Sequence, residues 1–219
     1  MQAQNSISQL YEEIENRHKA LAPRKRFAFS KKQTRKQQVT TSPTVLEDFQ
    51  VHLEGIKDSK SQTFLKSDQE LRDLNCYQLK NLEDCEVVLA GRLKAIHILS
   101  LRNCRVYCGP VAGAAHITDC FNCVINVASH QLRIHESTQC QFYVHASTNP
   151  IVEKVSEVGF APYAFEYPGM KDHFRDCGLE SPNTWNEVQD FKWLKKEPSP
   201  NWYIIQETSR LPLKSLHSN

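Results

Sequence analysis

Four segments of similar sequence follow one another along the middle of the chain: DCEVVL at 84–89, NCRVYC at 103–108, NCVINV at 122–127 and QCQFYV at 139–144. Their cysteines are 19, 19 and 17 residues apart. Other apolar residues keep fixed distances from each cysteine. Six residues before it stand Leu79, Ile98, Ile117 and Ile134, and two residues after it stand Val87, Val106, Ile125 and Phe142. This constant spacing predicts a repeated structural unit.

Apolar residues within each unit alternate at a period of two, which is typical of short β-strands. A unit of 17–19 residues is too short for the common helical repeats. The simplest arrangement is a parallel β-solenoid with one coil per repeat, in which equivalent residues stack into core ladders. A β-sandwich is the alternative fold, but it would not require the fixed spacing.

The eight cysteines of the chain are predicted to be reduced thiols, because no secretory signal is recognised and disulfides belong to oxidising compartments. Cys120 and Cys123 have the CxxC spacing of a zinc knuckle or a redox motif. The repeat offers another interpretation, in which the motif arises from two core columns that lie three residues apart. Small and apolar cysteine suits such a narrow interior, so we expect ladder residues and no metal site.

The net charge of +2 conceals an asymmetry, since residues 1–43 carry a net +6 and residues 44–219 a net −4. Seven lysines and arginines lie within Pro23–Gln38, which has no acidic residue. Such a run repels itself, and we expect an exposed, flexible linker. It serves either as a simple tether or as a contact for an acidic protein partner, a nuclear-import receptor or nucleic acid.

The regions around the repeat have other patterns. Met1–Ala22 carries apolar residues at helical spacing and predicts a short helix, and Val45–Ile56 is a second short helical candidate. Ala161–Trp202 is rich in proline, aromatic residues and asparagine, and we expect an irregular cap over the last coil.

Several function classes find no support in the sequence. We expect neither a membrane-spanning segment, a signal peptide nor a lipidation site. Nucleotide-binding glycine loops, GxSxG and HExxH are absent from the sequence.

His97 and His116 share one column beside the aliphatic ladder and should point outward. Arg133 falls in the same column of a later coil, so its side chain should project from the flat outer face of a rigid sheet.

The motifs that carry a family resemblance are GPV at 109–111, CFNCVINV at 120–127, QLRIH at 131–135, FAPY at 160–163, YP at 167–168, NTWN at 183–186, DFKWL at 190–194 and SPNW at 199–202. From about residue 44 to 207 the chain resembles the cofactor C-like domain family, which includes tubulin-binding cofactor C and the retinitis pigmentosa GTPase-activating protein. The FAPY and SPNW motifs are more similar to the cofactor C branch.

The resemblance implies a mainly β fold, a right-handed parallel β-helix at 44–207. The short helix at 1–22 and the basic linker at 23–43, both predicted from their own residue patterns, precede it, and residues 208–219 are expected to form a C-terminal tail. It also implies a function: a tubulin-folding cofactor that stimulates GTP hydrolysis by β-tubulin, together with cofactors D and E, and so releases native tubulin heterodimer. The chain would itself be no enzyme and would bind no cofactor, since GTP and Mg²⁺ belong to the partner. A monomeric, cytoplasmic and cytoskeleton-associated protein is expected, with no nucleic-acid partner and no membrane anchor.

Residue roles are carried over by position. Arg133 matches the arginine finger, Gln131 belongs to the same motif, and Glu153 matches an acidic residue that orients the finger. The family often has Gln three residues before this arginine, where this chain has His130, so that role is left unassigned.

The remaining predicted contacts are with the partner protein. Phe191 matches an aromatic residue near the finger, with cap core as the other interpretation. Asn183 belongs to the same partner-binding set, with cap structure as the other interpretation. Arg24, Lys25 and Arg26 of the linker are predicted to contact an acidic partner surface. The alternative functions are a GTPase-activating protein for an Arf-like small GTPase and a non-catalytic tubulin-binding scaffold.

Overall fold

The structure, a computed structural model, describes residues 53–216. The predicted helix at 1–22 and the predicted linker at 23–43 lie outside these residues. The strands are β1 (Glu54–Lys60), β2 (Thr63–Ser67), β3 (Tyr77–Glu83), β4 (Glu86–Ala90), β5 (Ile96–Arg102), β6 (Arg105–Phe121), β7 (Val124–His135), β8 (Gln141–Ala146), β9 (Ile151–Glu153), β10 (Val158–Pro162), β11 (Phe165–Glu166), β12 (Gln189–Asp190), β13 (Trp202–Ile204) and β14 (Lys214–Ser215). The helices are α1 (Asp68–Leu71), α2 (Met170–Asp176) and a 3₁₀ turn at Glu207–Ser209.

The strands form a parallel β-solenoid of about six turns, which confirms the predicted fold class. One layer contains β1, β3, β5, the end of β6, the end of β7, β9 and β12. We call this layer the Arg133 sheet. A second layer contains β2, β4, the start of β6, the start of β7, β8, β10 and β13. The long strands β6 and β7 contribute to both layers.

The predicted core columns are confirmed residue by residue. The aliphatic column of the Arg133 sheet pairs in register as Leu79, Ile98, Ile117 and Ile134, all at most 1% exposed. The opposite layer stacks Val87, Val106, Ile125 and Phe142, all fully buried. The cysteine column that consists of Cys85, Cys104, Cys123 and Cys140 is also buried. The CxxC pair therefore belongs to two adjacent core columns, as the repeat predicted.

Left-handed backbone conformations form the corner between the two layers. Between residues 53 and 216, twelve residues other than glycine have positive φ, and they are Asp58, Ser61, Asn81, Asp84, Ser100, Asn103, Asp119, Asn122, Glu136, Gln139, Lys154 and Glu157. They fall in two columns three residues apart. Asn and Asp tolerate this conformation better than most residues, which explains their abundance there. Their side chains also bond from coil to coil, as where Asn122 Nδ2 donates to Asn103 Oδ1 at 2.9 Å.

The helix predicted at Val45–Ile56 is wrong in its described part, because β1 begins at Glu54. Ile56 pairs with Leu79 and extends the aliphatic column by one coil. Helix α1 is inserted in this first coil and lengthens its repeat, so the constant spacing that revealed the later coils is lost. Ser67 and Glu70 form a capping box at the start of α1, which favours a short helix there.

The region after β10 is mostly irregular, as predicted for a cap, and α2 packs on the outside of the solenoid. Asp68 in α1 accepts bonds from Arg92, whose guanidinium also contacts Asp176 at 2.6 Å. Strand β14 pairs with β11. The segment predicted as a C-terminal tail from 208 therefore packs on the solenoid as far as Leu216. No helix among residues 53–216 is long and apolar enough to cross a membrane.

Candidate functional site

Arg133 lies near the end of β7 and is exposed, while both of its neighbours in the strand are buried. Leu132 and Ile134 are at most 1% exposed because they fill core columns. Strand residues alternate between faces, so the burial of these two neighbours directs the Arg133 side chain outward. Gln131 is exposed and points to the same side. The structure thus brings the two motif residues together on the outer surface of the Arg133 sheet.

The neighbours of Arg133 along its column are imidazoles on one side and an aliphatic residue on the other. His97 pairs with His116, His116 with Arg133, and Arg133 with Ile151. The two imidazole rings lie edge to face with centroids 5.3 Å apart. Burial lowers the pKa of His116, and the nearby His97, Arg133 and His135 lower it further. Burial and the nearby positive charge of Arg133 thus favour the neutral form of His116.

A shallow depression of about 470 Å³ adjoins Arg133 and Gln131. Its lining is mainly polar and consists of Gln131, Leu132, Arg133, Ser147, Thr148, Asn149, Ile151 and Gln189. Ser147 Oγ is buried there without a hydrogen-bond partner. The sequence analysis missed Gln189, because β12 pairs with β9 across a long cap segment that does not follow the repeat. The depression can accept a polar chain segment beside the guanidinium.

Glu153 lies on the Arg133 sheet but not directly beside Arg133. The parallel register places Ile151 opposite Arg133 and Glu153 opposite His135. No ion pair joins Arg133 and Glu153 within the described part of the chain. The Glu153 carboxylate instead lies 4.0 Å from Lys192 Nζ. The predicted orienting contact between Glu153 and Arg133 is thus not formed in this structure, because the register separates the two residues along the strand.

Phe191 and Asn183, the two predicted partner-binding residues of the cap, have different surroundings. Phe191 follows β12, its N–H donates to Val152 O at 3.0 Å, and its side chain is 49% exposed. This exposure excludes the cap-core interpretation of Phe191. Asn183 uses its side-chain oxygen to accept a bond from the Ala146 N–H at 3.1 Å. It therefore closes the end of β8 and has a structural role. The linker residues Arg24, Lys25 and Arg26 lie outside the described part of the chain.

Fold and site together define a parallel β-solenoid protein that presents an exposed arginine, with a glutamine beside it, on a rigid outer sheet. The family model described as tubulin binding cofactor C matches residues 74–191. This range contains the QLRIH motif and the whole of the Arg133 sheet except its first strand. The chain belongs to the tubulin binding cofactor C family.

Curated relatives agree with this assignment. The chain is 33% identical over 220 residues to "Tubulin-folding cofactor C" of Arabidopsis thaliana, a match that covers 96% of this chain and 64% of the relative. It is 34% identical over 227 residues to "Tubulin-specific chaperone C" of Mus musculus, with 95% and 66% covered. The chain thus spans slightly less than two thirds of the length of these relatives.

A solved structure supports the fold. "Tubulin Binding Cofactor C from Leishmania major" superimposes with a TM-score of 0.56 at 22% identity, and the match covers 75% of this chain and 96% of that one. At this identity the likeness concerns the fold alone.

Proposed function

We propose that this chain is a tubulin-folding cofactor that stimulates GTP hydrolysis by tubulin and thereby releases the native tubulin heterodimer, with Arg133 as an arginine finger. The observation that carries the proposal is the exposure of Arg133 between two fully buried strand neighbours. Family membership and the names of the relatives support tubulin as the partner. Cofactors D and E are the proposed companions in the complex.

The chemistry requires a cation supplied to the nucleotide of another protein. During hydrolysis water attacks the γ-phosphorus of GTP, the bond to the β–γ bridging oxygen breaks, and GDP and phosphate result. Charge is spread over the phosphoryl oxygens in the transition state. A guanidinium supplied in trans stabilises this charge and raises the rate of hydrolysis by about 10³–10⁵-fold. GTP and Mg²⁺ are held by the partner, and this chain contributes donors from Arg133.

The β-solenoid suits this task for two physical reasons. The sheet backbone under Arg133 is fixed by parallel pairing on both sides. The backbone is therefore already ordered before the partner binds, and binding costs little backbone entropy. The guanidinium is planar, always charged and weakly hydrated, which favours its transfer from water to a phosphate site. Gln131, on the same face, is placed to bond the partner or the attacking water.

The experiment compares wild type, Arg133→Ala and Arg133→Lys in GTP hydrolysis by tubulin in the presence of cofactors D and E, with complex formation measured on the same samples. We expect Arg133→Ala to bind and to lose stimulation. Arg105→Ala, an exposed arginine on the other layer, serves as the matched control. Equal stimulation by wild type and Arg133→Ala would support a non-catalytic scaffold instead. Stimulation of GTP hydrolysis by an Arf-like GTPase but not by tubulin would show that Arg133 serves a different partner.

A further inference from the structure

The turn that follows β12 exposes two large apolar side chains. We call Phe191–Lys196 the 191–196 loop. Leu194 is 93% exposed, the highest value among the large apolar residues of the described chain, and Phe191 is about half exposed. An isolated exposed leucine is ordinary on a protein surface. Here two large apolar side chains, Phe191 and Leu194, are exposed in one short loop beside a candidate site. The shape and the charge of the loop indicate what it could bind.

The shape of the loop is fixed by bonds that leave these apolar side chains uncovered. The Asp190 carboxylate accepts from the Lys192 N–H at 3.1 Å, from Ser199 Oγ at 2.7 Å and from Asn201 Nδ2 at 2.8 Å, and so ties the two ends of the segment together. The Trp193 indole N–H donates to Glu197 O at 2.6 Å. The loop is therefore already ordered, and binding through Leu194 would cost little conformational entropy.

The charge of the loop is positive, in contrast to the rest of the domain. Lys192, Lys195 and Lys196 are exposed, whereas residues 44–219 together carry a net −4. Lys195 Nζ lies 4.9 Å from the centre of the Trp193 ring, so this ammonium remains next to the exposed leucine. The loop thus combines an apolar tip with a cationic rim, which favours an acidic surface with an apolar notch.

The loop lies on the same side of the molecule as the finger. Strand β12 pairs with β9, and β9 pairs with β7, which carries Arg133. Gln189 is thus two strand spacings, about 10 Å, from Arg133, and the loop begins two residues further along the strand. Phe191 continues the outward positions of this sheet. A partner that receives the guanidinium would therefore also meet the loop.

We propose that the 191–196 loop is a docking element for an acidic protein surface with an apolar notch, next to the nucleotide site that Arg133 serves. Leu194 enters the notch, and Lys195 and Lys196 contact carboxylates around it. This inference rests on the proposed function, because the partner is the same GTPase. The two parts act on different quantities: the loop sets the affinity for the partner, and Arg133 sets the rate once the partner is bound.

The test titrates the full chain into tubulin with cofactors D and E, and measures the concentration for half-maximal stimulation and the plateau rate of GTP hydrolysis. Leu194→Ser should raise the half-maximal concentration about tenfold and keep the plateau rate within about twofold. Lys195→Glu with Lys196→Glu should do the same at low salt, and less at high salt because exposed charges are screened. Leu65→Ser and Lys171→Glu, exposed at other places, are the matched controls.

Direct binding separates failure of this inference from failure of the proposed function. If Arg133→Ala abolishes hydrolysis while all loop variants bind as tightly as wild type, the loop is not a docking element. If the loop variants bind about tenfold more weakly while Arg133→Ala stimulates GTP hydrolysis as well as wild type, the docking inference holds and the arginine-finger role of Arg133 is wrong. Loop-dependent binding to vesicles of anionic lipid, without an effect on tubulin binding, would also overturn the proposal.

Discussion

Truncation of Ile134 tests whether the core beneath Arg133 is as tightly packed as the register indicates. Ile134 is fully buried and lies in register between Ile117 and Val152. Ile134→Ala removes three carbon groups, worth about 2.4 kcal/mol of transfer free energy at about 0.8 kcal/mol each. Both flanking coils are held by strand pairing, so the cavity can collapse only partly and adds to the loss. We expect a total decrease of about 3–4 kcal/mol in the free energy of unfolding.

The measurement is urea unfolding followed by circular dichroism at 25 °C. Ile134→Val should lose about 1 kcal/mol, and Leu65→Ala, at a residue 64% exposed, should stay within about 0.5 kcal/mol of wild type. A loss below about 1 kcal/mol for Ile134→Ala, with an unchanged denaturant slope, would refute the stacked-column account of this layer. The graded series matters because one destabilised variant alone would not identify the column as the cause.

Two further predictions concern the corner between the layers and the Asp68 contacts of α1. Asn122 has φ of 51°, so Asn122→Ala should decrease the free energy of unfolding by about 1–2 kcal/mol in urea melts, and Asn122→Gly by less; equal losses would contradict a conformational cause. Burial alone would raise the pKa of Asp68, but hydrogen bonds from Arg92 outweigh it and lower that pKa. A lowered folded-state pKa gives stability that is present above the unfolded value of about 3.9 and is lost as pH falls through the folded value. Asp68→Asn should therefore destabilise by about 2 kcal/mol at pH 7, and this difference should shrink below about pH 4; a difference independent of pH would contradict the assignment.

The sequence predicted the coils that follow the constant spacing, because each core column tolerates only a small set of apolar residues. Ile98 and Val106 could be placed from their distance to Cys104 alone. The first coil escaped prediction because α1 interrupts the spacing between Ile56 and Leu79. An insertion of this kind leaves no periodic signal, and the start of β1 was predicted instead as the end of a helix at Val45–Ile56.

The candidate site was predictable in its strand positions and not in its cap. The outward direction of Arg133 and Gln131 follows from alternation along β7. The register of β9 places Glu153 opposite His135, two residues along from the position opposite Arg133, and Gln189 reaches the depression through a pairing of strands far apart in sequence. Such pairings are set by the tertiary fold, so residue spacing alone could not show them.

Single-turnover GTP hydrolysis by tubulin, bound to cofactors D and E and mixed with saturating chain, tests the central claim most directly. The account predicts that Arg133→Ala lowers the stimulated rate by about 10³-fold or more while the complex still forms. Arg133→Lys should rescue little of it, because an ammonium lacks the planar fork of the guanidinium. A rate for Arg133→Ala within a few-fold of wild type, at proven saturation, would contradict the account.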